Sequence, residues 1–269
     1  MTDQPTKPNF MIRAHEIHKS YGKLHVLKGL TLDVIQGETL VILGRSGVGK
    51  SVLLRQILGI ENPDSGYIEV AGARISEMSQ SKRYEAVKTM GMLFQGAALF
   101  DSMTVGENIA FYLREHESHL TEKEILNRVS EALRMVALEG TQSKMPSDLS
   151  GGMRKRAALA RLIVYRPNVL LYDEPTTGLD PITAGQINDL INRIQQELKA
   201  TSIVVTHDMR SAVEVGDRLA FHHEGKIAHV ASKTEFMKID DPTLHQFFEN
   251  AILTPEIITR SHKEGRVHA

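Results

Sequence analysis

The chain has 269 residues and no cysteine, with 32 Lys plus Arg against 33 Asp plus Glu and a formal net charge of −1. It therefore carries neither a disulfide framework nor a thiolate metal site, and its even charge balance argues against a nucleic-acid partner or a polybasic membrane anchor. No run of about 18 apolar residues offers a membrane span and no signal-peptide core precedes the first element, so the expected compartment is the cytoplasm and any membrane attachment needs a partner.

Residues 1–11, with two prolines, are expected to form a flexible lead. "MIRAHEIHKSYG" and "HVLKGLTLDVIQG" then alternate apolar and polar residues and end in Gly, which predicts a half-solvated antiparallel hairpin. "TLVILG", "VLLYDE" and "SIVVTHD" are instead continuous apolar runs, the pattern of strands covered on both faces of a parallel sheet. Between them, roughly over 102–165, "TEKEILNRVSEALRMVALEG" and "GMRKRAALARLIVY" carry apolar residues at helical spacing. The expected architecture is thus one α/β domain over 12–248, with an antiparallel β part, an inserted helical part and an extension over 249–269.

The stretch "LVILGRSGVGKSVLL" places glycines where a buried strand turns into a helix. Gly44-Arg45-Ser46-Gly47-Val48-Gly49-Lys50-Ser51 fits G-x-x-x-x-G-K-[ST]. A polyanionic phosphate chain needs a tight turn that aims backbone N–H groups at it from a helix start, and glycine permits that turn. Lys50 would reach the terminal phosphates and Ser51 would coordinate Mg2+.

Downstream, "NVLLYDEP" ends a strand in Asp173 and Glu174. Adjacent carboxylates there are costly unless a cation or a proton transfer uses them. Asp173 suits the magnesium shell, and Glu174 suits polarising the water that attacks the γ-phosphate. In "DLSGGMRKRAALAR", Ser150, Gly151 and Gly152 precede a helix and offer a second set of free N–H groups. Two anion cradles with one hydrolytic set suggest a two-fold dimer in which each chain completes the other's site.

These motifs, in this order, resemble the nucleotide-binding subunit of an ATP-binding-cassette (ABC) transporter over nearly all of residues 12–235. "GRSGVGKS" is similar to the Walker A loop, "VLLYDE" to the Walker B strand and "LSGGM" to the family signature. Gln95 in "MLFQGAALF" matches the Q-loop, Asp180 in "TTGLDP" the D-loop, His207 in "VVTHD" the switch histidine, and Tyr21 in "KSYG" the aromatic that stacks on adenine. The resemblance implies a P-loop (RecA-like) ATPase core with ATP and Mg2+ as cofactors. It further implies catalytic roles for Lys50, Glu174 and His207, metal contacts from Ser51, Gln95 and Asp173, and cross-dimer contacts from Ser150, Gly151, Gly152 and Asp180. Two positions depart from the common pattern. Val52 stands where Thr or Ser often contacts an inner phosphate, leaving its backbone, and Met153 replaces a frequent Gln.

"MGMLFQGAALFDSMTVGENIAF", "LYDEPTTGLDPITAGQIND" and "THDMRSAVEVGDRLAF" resemble the Mla-type subgroup, whose complexes move phospholipid between the two membranes of diderm bacteria. This resemblance implies a homodimer docked on an integral-membrane (MlaE-like) permease at the cytoplasmic face of the inner membrane. A small STAS-domain (MlaB-like) regulator, a periplasmic (MlaD-like) lipid-binding subunit and a cross-dimer contact by the 249–269 extension are further implied partners and contacts. The alternatives are the ATPase of a small-solute importer, a soluble non-transport cassette protein and a phosphoryl-transferring kinase. His222 and His223 are expected to be surface residues, and metal binding by the pair is disfavoured because strand neighbours point to opposite faces.

Overall fold

The computed structural model describes residues 9–250. Strands β1 (Phe10–Tyr21) and β2 (Leu24–Ile35) lead to β3 (Thr39–Leu43) and helix α1 (Lys50–Ile57); β4 (Ser65–Val70) and β5 (Ala73–Arg74) precede α2 (Gln80–Val87) and β6 (Met90–Leu93). Three helices follow: α3 (Val105–His116), α4 (Glu122–Met135) and α5 (Gly151–Ile163). The chain then runs through β7 (Val169–Asp173), α6 (Pro181–Leu198), β8 (Thr201–Thr206), α7 (Met209–Val215), β9 (Arg218–His223) and β10 (Lys226–Ser232), and ends in α8 (Lys233–Phe236) and α9 (Pro242–Asn250).

The expected hairpin is β1–β2, paired antiparallel from Phe10↔Ile35 to Tyr21↔Leu24. Strand β1 starts inside the expected lead, because Phe10 already pairs with Ile35 and the Asn9 carbonyl accepts from the Gln36 N–H at 2.9 Å. The hairpin belongs to a four-stranded sheet, β2-β1-β4-β5. A six-stranded sheet of order β10-β9-β3-β8-β7-β6 forms the centre, parallel except at its β10 edge. Every residue of β3, β7 and β8 is buried, as their unbroken apolar runs require.

The alternation of strand side chains divides the core. Val41 and Leu43 point into a cluster with α3, α4, α5 and α6, whereas Leu40 and Ile42 point into a second cluster with β1, β2 and α1. The central sheet is therefore packed on both faces, and the functional loops emerge together from the C-terminal ends of its parallel strands. The helical part is built from well-capped pieces. Thr104 with Glu107 opens α3 and Thr121 with Glu124 opens α4, each as a reciprocal capping box.

Gly66 marks a close approach of two backbones. Its φ is +85°, and a Cβ there would lie 2.3 Å from the Glu16 carbonyl oxygen, at the irregularity in β1–β4 pairing between His15 and His18. Gly66→Ala is expected to destabilise the protein by about 3 kcal/mol, since neither the torsion nor the backbone contact can be relieved by a side-chain rotation. A urea midpoint equal to the parental one would remove this account. The expected extension at 249–269 lies almost wholly outside the described residues, only Glu249 and Asn250 falling in α9.

Candidate functional site

Strand β3 delivers the chain into the glycine loop and α1 carries it away. Gly47 and Gly49 adopt φ of +81° and +110°, and a Cβ on Gly49 would lie 2.6 Å from Val26, so the turn is both left-handed and tightly backed. Helix α1 starts at Lys50 with no side-chain cap and no acid in its first turn, which leaves its N–H groups free for an anion. Arg45, Ser46 and Gly47 are exposed along the rim of the loop, and Val48 and Val52 are half-buried. The Lys50 ammonium folds back into the loop, donating to the carbonyls of Gly44 at 2.7 Å and Arg45 at 3.2 Å.

The parallel register brings the acids beneath this loop. β7 ends opposite β8 with Asp173 beside Val205, and Glu174 follows in a left-handed conformation of φ +48°, its N–H held by the Val205 carbonyl at 2.9 Å. Ser51 donates to Asp173 Oδ1 at 2.8 Å, and Lys50 lies 3.3 Å from Glu174 Oε1. The other Glu174 oxygen accepts from Thr177 Oγ1 at 3.0 Å and Thr206 Oγ1 at 3.4 Å, and lies 2.9 Å from His207 Nδ1. Glu174 is thus fixed from the glycine loop, its own turn and the end of β8. Burial pushes the Asp173 carboxyl above its ordinary value, the Ser51 hydrogen bond opposes this, and the neighbouring Glu174 charge adds to it.

A buried carboxylate converging with a hydroxyl suits a hard, oxygen-seeking cation that takes its remaining ligands from water and phosphate. No group of three or more His, Asp or Glu side chains forms a metal cage among the described residues. Gln95 is exposed on the loop after β6. Tyr21 lies at the end of β1 with 44% of its surface exposed; its hydroxyl donates to Glu61, which Arg55 of α1 holds at 2.7 Å.

Lys50, Ser51, Asp173, Glu174 and His207 therefore form one contact network, while Ser150, Gly151, Gly152 and Asp180 form another group. Ser150 caps α5 by accepting from the Met153 N–H at 3.3 Å, and Asp180 caps α6, accepting from Ile182, Thr183 and the Thr183 hydroxyl. The two helix starts lie side by side: a Cβ on Gly152 would meet Thr183 at 2.6 Å, and Arg156 donates to Gln186 at 2.6 Å. No hydrogen bond or ion pair joins this group to the Lys50–Glu174 network among the described residues.

His222 corrects the sequence expectation. It is 1% exposed, with neither ring nitrogen hydrogen-bonded, because β9 runs beside β3 and places it directly behind the glycine loop. Its carbonyl would lie 2.6 Å from a Cβ on Gly44, and burial, with a smaller contribution from Lys50, pushes the imidazole down to about 4. His223 is half-buried on the opposite side. Sequence reading also passed over Thr177, Thr206 and Lys155. The last is 6% exposed and sits on the helical face shared with Ala158, Leu159 and Leu162, so a lone cation on an apolar stripe was its signal.

A family model described as ABC transporter matches residues 27–177. This chain belongs to the ABC transporter ATPase family. The ABC ATPase is 40% identical over 224 residues to the "Intermembrane phospholipid transport system ATP-binding protein MlaF" of Haemophilus influenzae, covering 83% of this chain and 84% of that protein. It is 38% identical over 244 residues to the "Probable ribonucleotide transport ATP-binding protein mkl" of Mycobacterium leprae, covering 91% of this chain and 70% of that one. Among solved structures, the ATP-binding cassette MJ0796, a dimer in a post-hydrolysis state bound to ADP and Pi, superposes with a TM-score of 0.76 at 28% identity, covering 82% of this chain and 98% of that chain. The expected P-loop α/β architecture and ATPase activity of an ABC transporter subunit are both borne out. No helix among the described residues of this ABC ATPase is long and apolar enough to cross a membrane.

Proposed function

We propose that this ABC ATPase powers phospholipid transport between inner and outer membranes, with its core over 12–248 and its helical part over roughly 102–165. The observation that carries the cargo reading is the 40% identity to an intermembrane phospholipid transport ATPase over 83% of the chain, alongside the Mla-type motif context around Gln95, Asp180 and His207. The identity to a ribonucleotide transport protein is close in value, so a solute importer is the competing outcome.

In this reading the loop 44–51 wraps the phosphates of ATP, and Tyr21 stacks on the adenine. Lys50 exchanges its hold on Gly44, Arg45 and Glu174 for the terminal phosphates. Ser51, Asp173 and Gln95 hold Mg2+, which supplies charge neutralisation on the phosphates when bound. Glu174 accepts the proton of the attacking water, held in place by Thr177 and His207, and His207 reaches the γ-phosphate from its exposed edge. Ser150, Gly151, Gly152 and Asp180 face the loop of a second copy. That geometry accounts for their separation from the hydrolytic network within one chain.

Two copies would dock on a multipass permease at the cytoplasmic face of the inner membrane, with a STAS-domain regulator on the helical part and a lipid-binding subunit in the periplasm. The test is purification of the complex from its native membranes in mild detergent, with co-purifying proteins and lipids identified by mass spectrometry. A permease accompanied by a periplasm-facing lipid-binding subunit and bound phospholipid is the expected result. A permease with a solute-binding protein would replace lipid by solute as cargo.

A further inference from the structure

The loop between β6 and α3 puts its left-handed backbone on two alanines rather than on its glycine, Gly96, whose φ is not positive. Ala97 and Ala98 both sit in the left-handed region, at φ of +65° and +52°. Alanine does not hold that conformation unaided, and two in succession must be over-determined by their surroundings. The turn itself contributes one backbone bond, from the Ala97 N–H to the Phe94 carbonyl at 2.9 Å. The downstream end is fixed by Asn108 of α3, fully buried, which accepts from the Phe100 N–H at 2.8 Å and donates to the Phe100 carbonyl at 3.0 Å.

Phe100 also packs edge-on against Phe111 of α3, with ring centres 5.1 Å apart, and two cationic restraints come from one further helix. Lys155 of α5 donates its ammonium to the Gln95 carbonyl, and Arg161, two turns on, donates to the Ala98 carbonyl at 2.7 Å while its guanidinium lies 4.6 Å from the centre of the Phe100 ring. The Gln95 carbonyl is the one hydrogen-bond acceptor of Lys155 among the described residues. Asp173 and Glu174 lie near enough to favour its charge against the burial that opposes it. The side chain of Gln95 is exposed, so the clamp grips the backbone on either side of the strained pair and leaves the amide free.

We infer that Lys155 and Arg161 are positioning residues that clamp the 94–100 loop to α5, so that the loop bearing Gln95 moves with the helix whose first residues form the signature motif. The physical reason is that both cations project from one rigid helix onto carbonyls three residues apart, and a strained backbone released at either point relaxes. Part of this inference, the effect on metal binding, rests on the proposed role of Gln95. The clamp itself rests only on the contacts above.

The test is hydrogen–deuterium exchange over residues 93–104 of the full-length, nucleotide-free protein. Lys155→Met and Arg161→Met are each expected to speed exchange at the Ala97 and Phe100 amides about tenfold, through loss of one charge-assisted hydrogen bond. Lys155→Arg keeps a cation and is expected to restore protection. Methionine fills the volume of the lysine stem without a buried charge, so a thermal midpoint at or above the parental one verifies that the variant is folded. Exchange at the parental rate in both methionine variants overturns the clamp.

Titration of the ATP-loaded proteins with Mn2+, read by its paramagnetic resonance, separates the clamp from the role of Gln95. Both Lys155→Met and Gln95→Ala are expected to weaken Mn2+ binding. If Gln95→Ala binds Mn2+ as the parent does, the metal role of Gln95 falls and loop exchange alone decides the clamp. If Gln95→Ala weakens Mn2+ binding and Lys155→Met does not, Lys155 does not position Gln95 and the inference fails.

Discussion

Glu174→Gln is expected to slow ATP turnover about a thousandfold while ATP still binds, the size usual for loss of a general base. The substitution keeps the shape of a side chain that is 10% exposed and packed among Thr177, Thr206, His207 and Lys50. An amide can retain the Thr177 contact but cannot take a proton from water. Phosphate release at saturating ATP, measured beside binding of a fluorescent ATP analogue, distinguishes loss of chemistry from loss of affinity. Parental turnover in the variant would remove Glu174 as the base and direct attention to His207.

Lys50→Met is expected to weaken ATP binding at least about a hundredfold, because the charge-assisted contacts to phosphate proposed for Lys50 would disappear. The contacts of Lys50 show why the side chain matters before ATP arrives. Its side chain is 5% exposed and its ammonium bridges Gly44, Arg45 and Glu174, so it holds the loop in shape and neutralises a buried acid. Removing it leaves Glu174 without its lysine partner. Isothermal titration with ATP checks the expectation, and an affinity within about threefold of the parent would take Lys50 off the phosphates.

Much of this arrangement was legible in the sequence because it depends on local signals. The runs ending at Leu43, Asp173 and Thr206 read as doubly covered strands, and the structure buries them throughout. The glycine pattern marked the loop, since Gly47 and Gly49 need torsions that other residues resist. What escaped is set by tertiary contact. "RLAFHH" ends in two polar residues and reads as a strand reaching the surface, yet the back of the glycine loop covers His222. Ala97 and Ala98 carry no sign of their left-handed backbone, because alanine gives no composition cue where glycine or asparagine would. Asp180 was legible as a motif, but its carboxylate is engaged by its own helix, a capping use that the motif alone does not show.

Four formally charged residues, Lys50, Lys155, Asp173 and Glu174, are each less than 9% exposed, and their charges cancel. In the proposed phosphate site these four groups add no net field that reaches across a Debye length, which leaves exposed Arg45 as the long-range cation of the loop. In the proposed role, capture of the nucleotide rests on oriented amides and on the redistribution of one ammonium, both acting at contact range, with Arg45 the one exposed cation of the loop. Association should therefore respond only modestly to ionic strength, and nucleotide concentration rather than salt becomes the variable that governs occupancy.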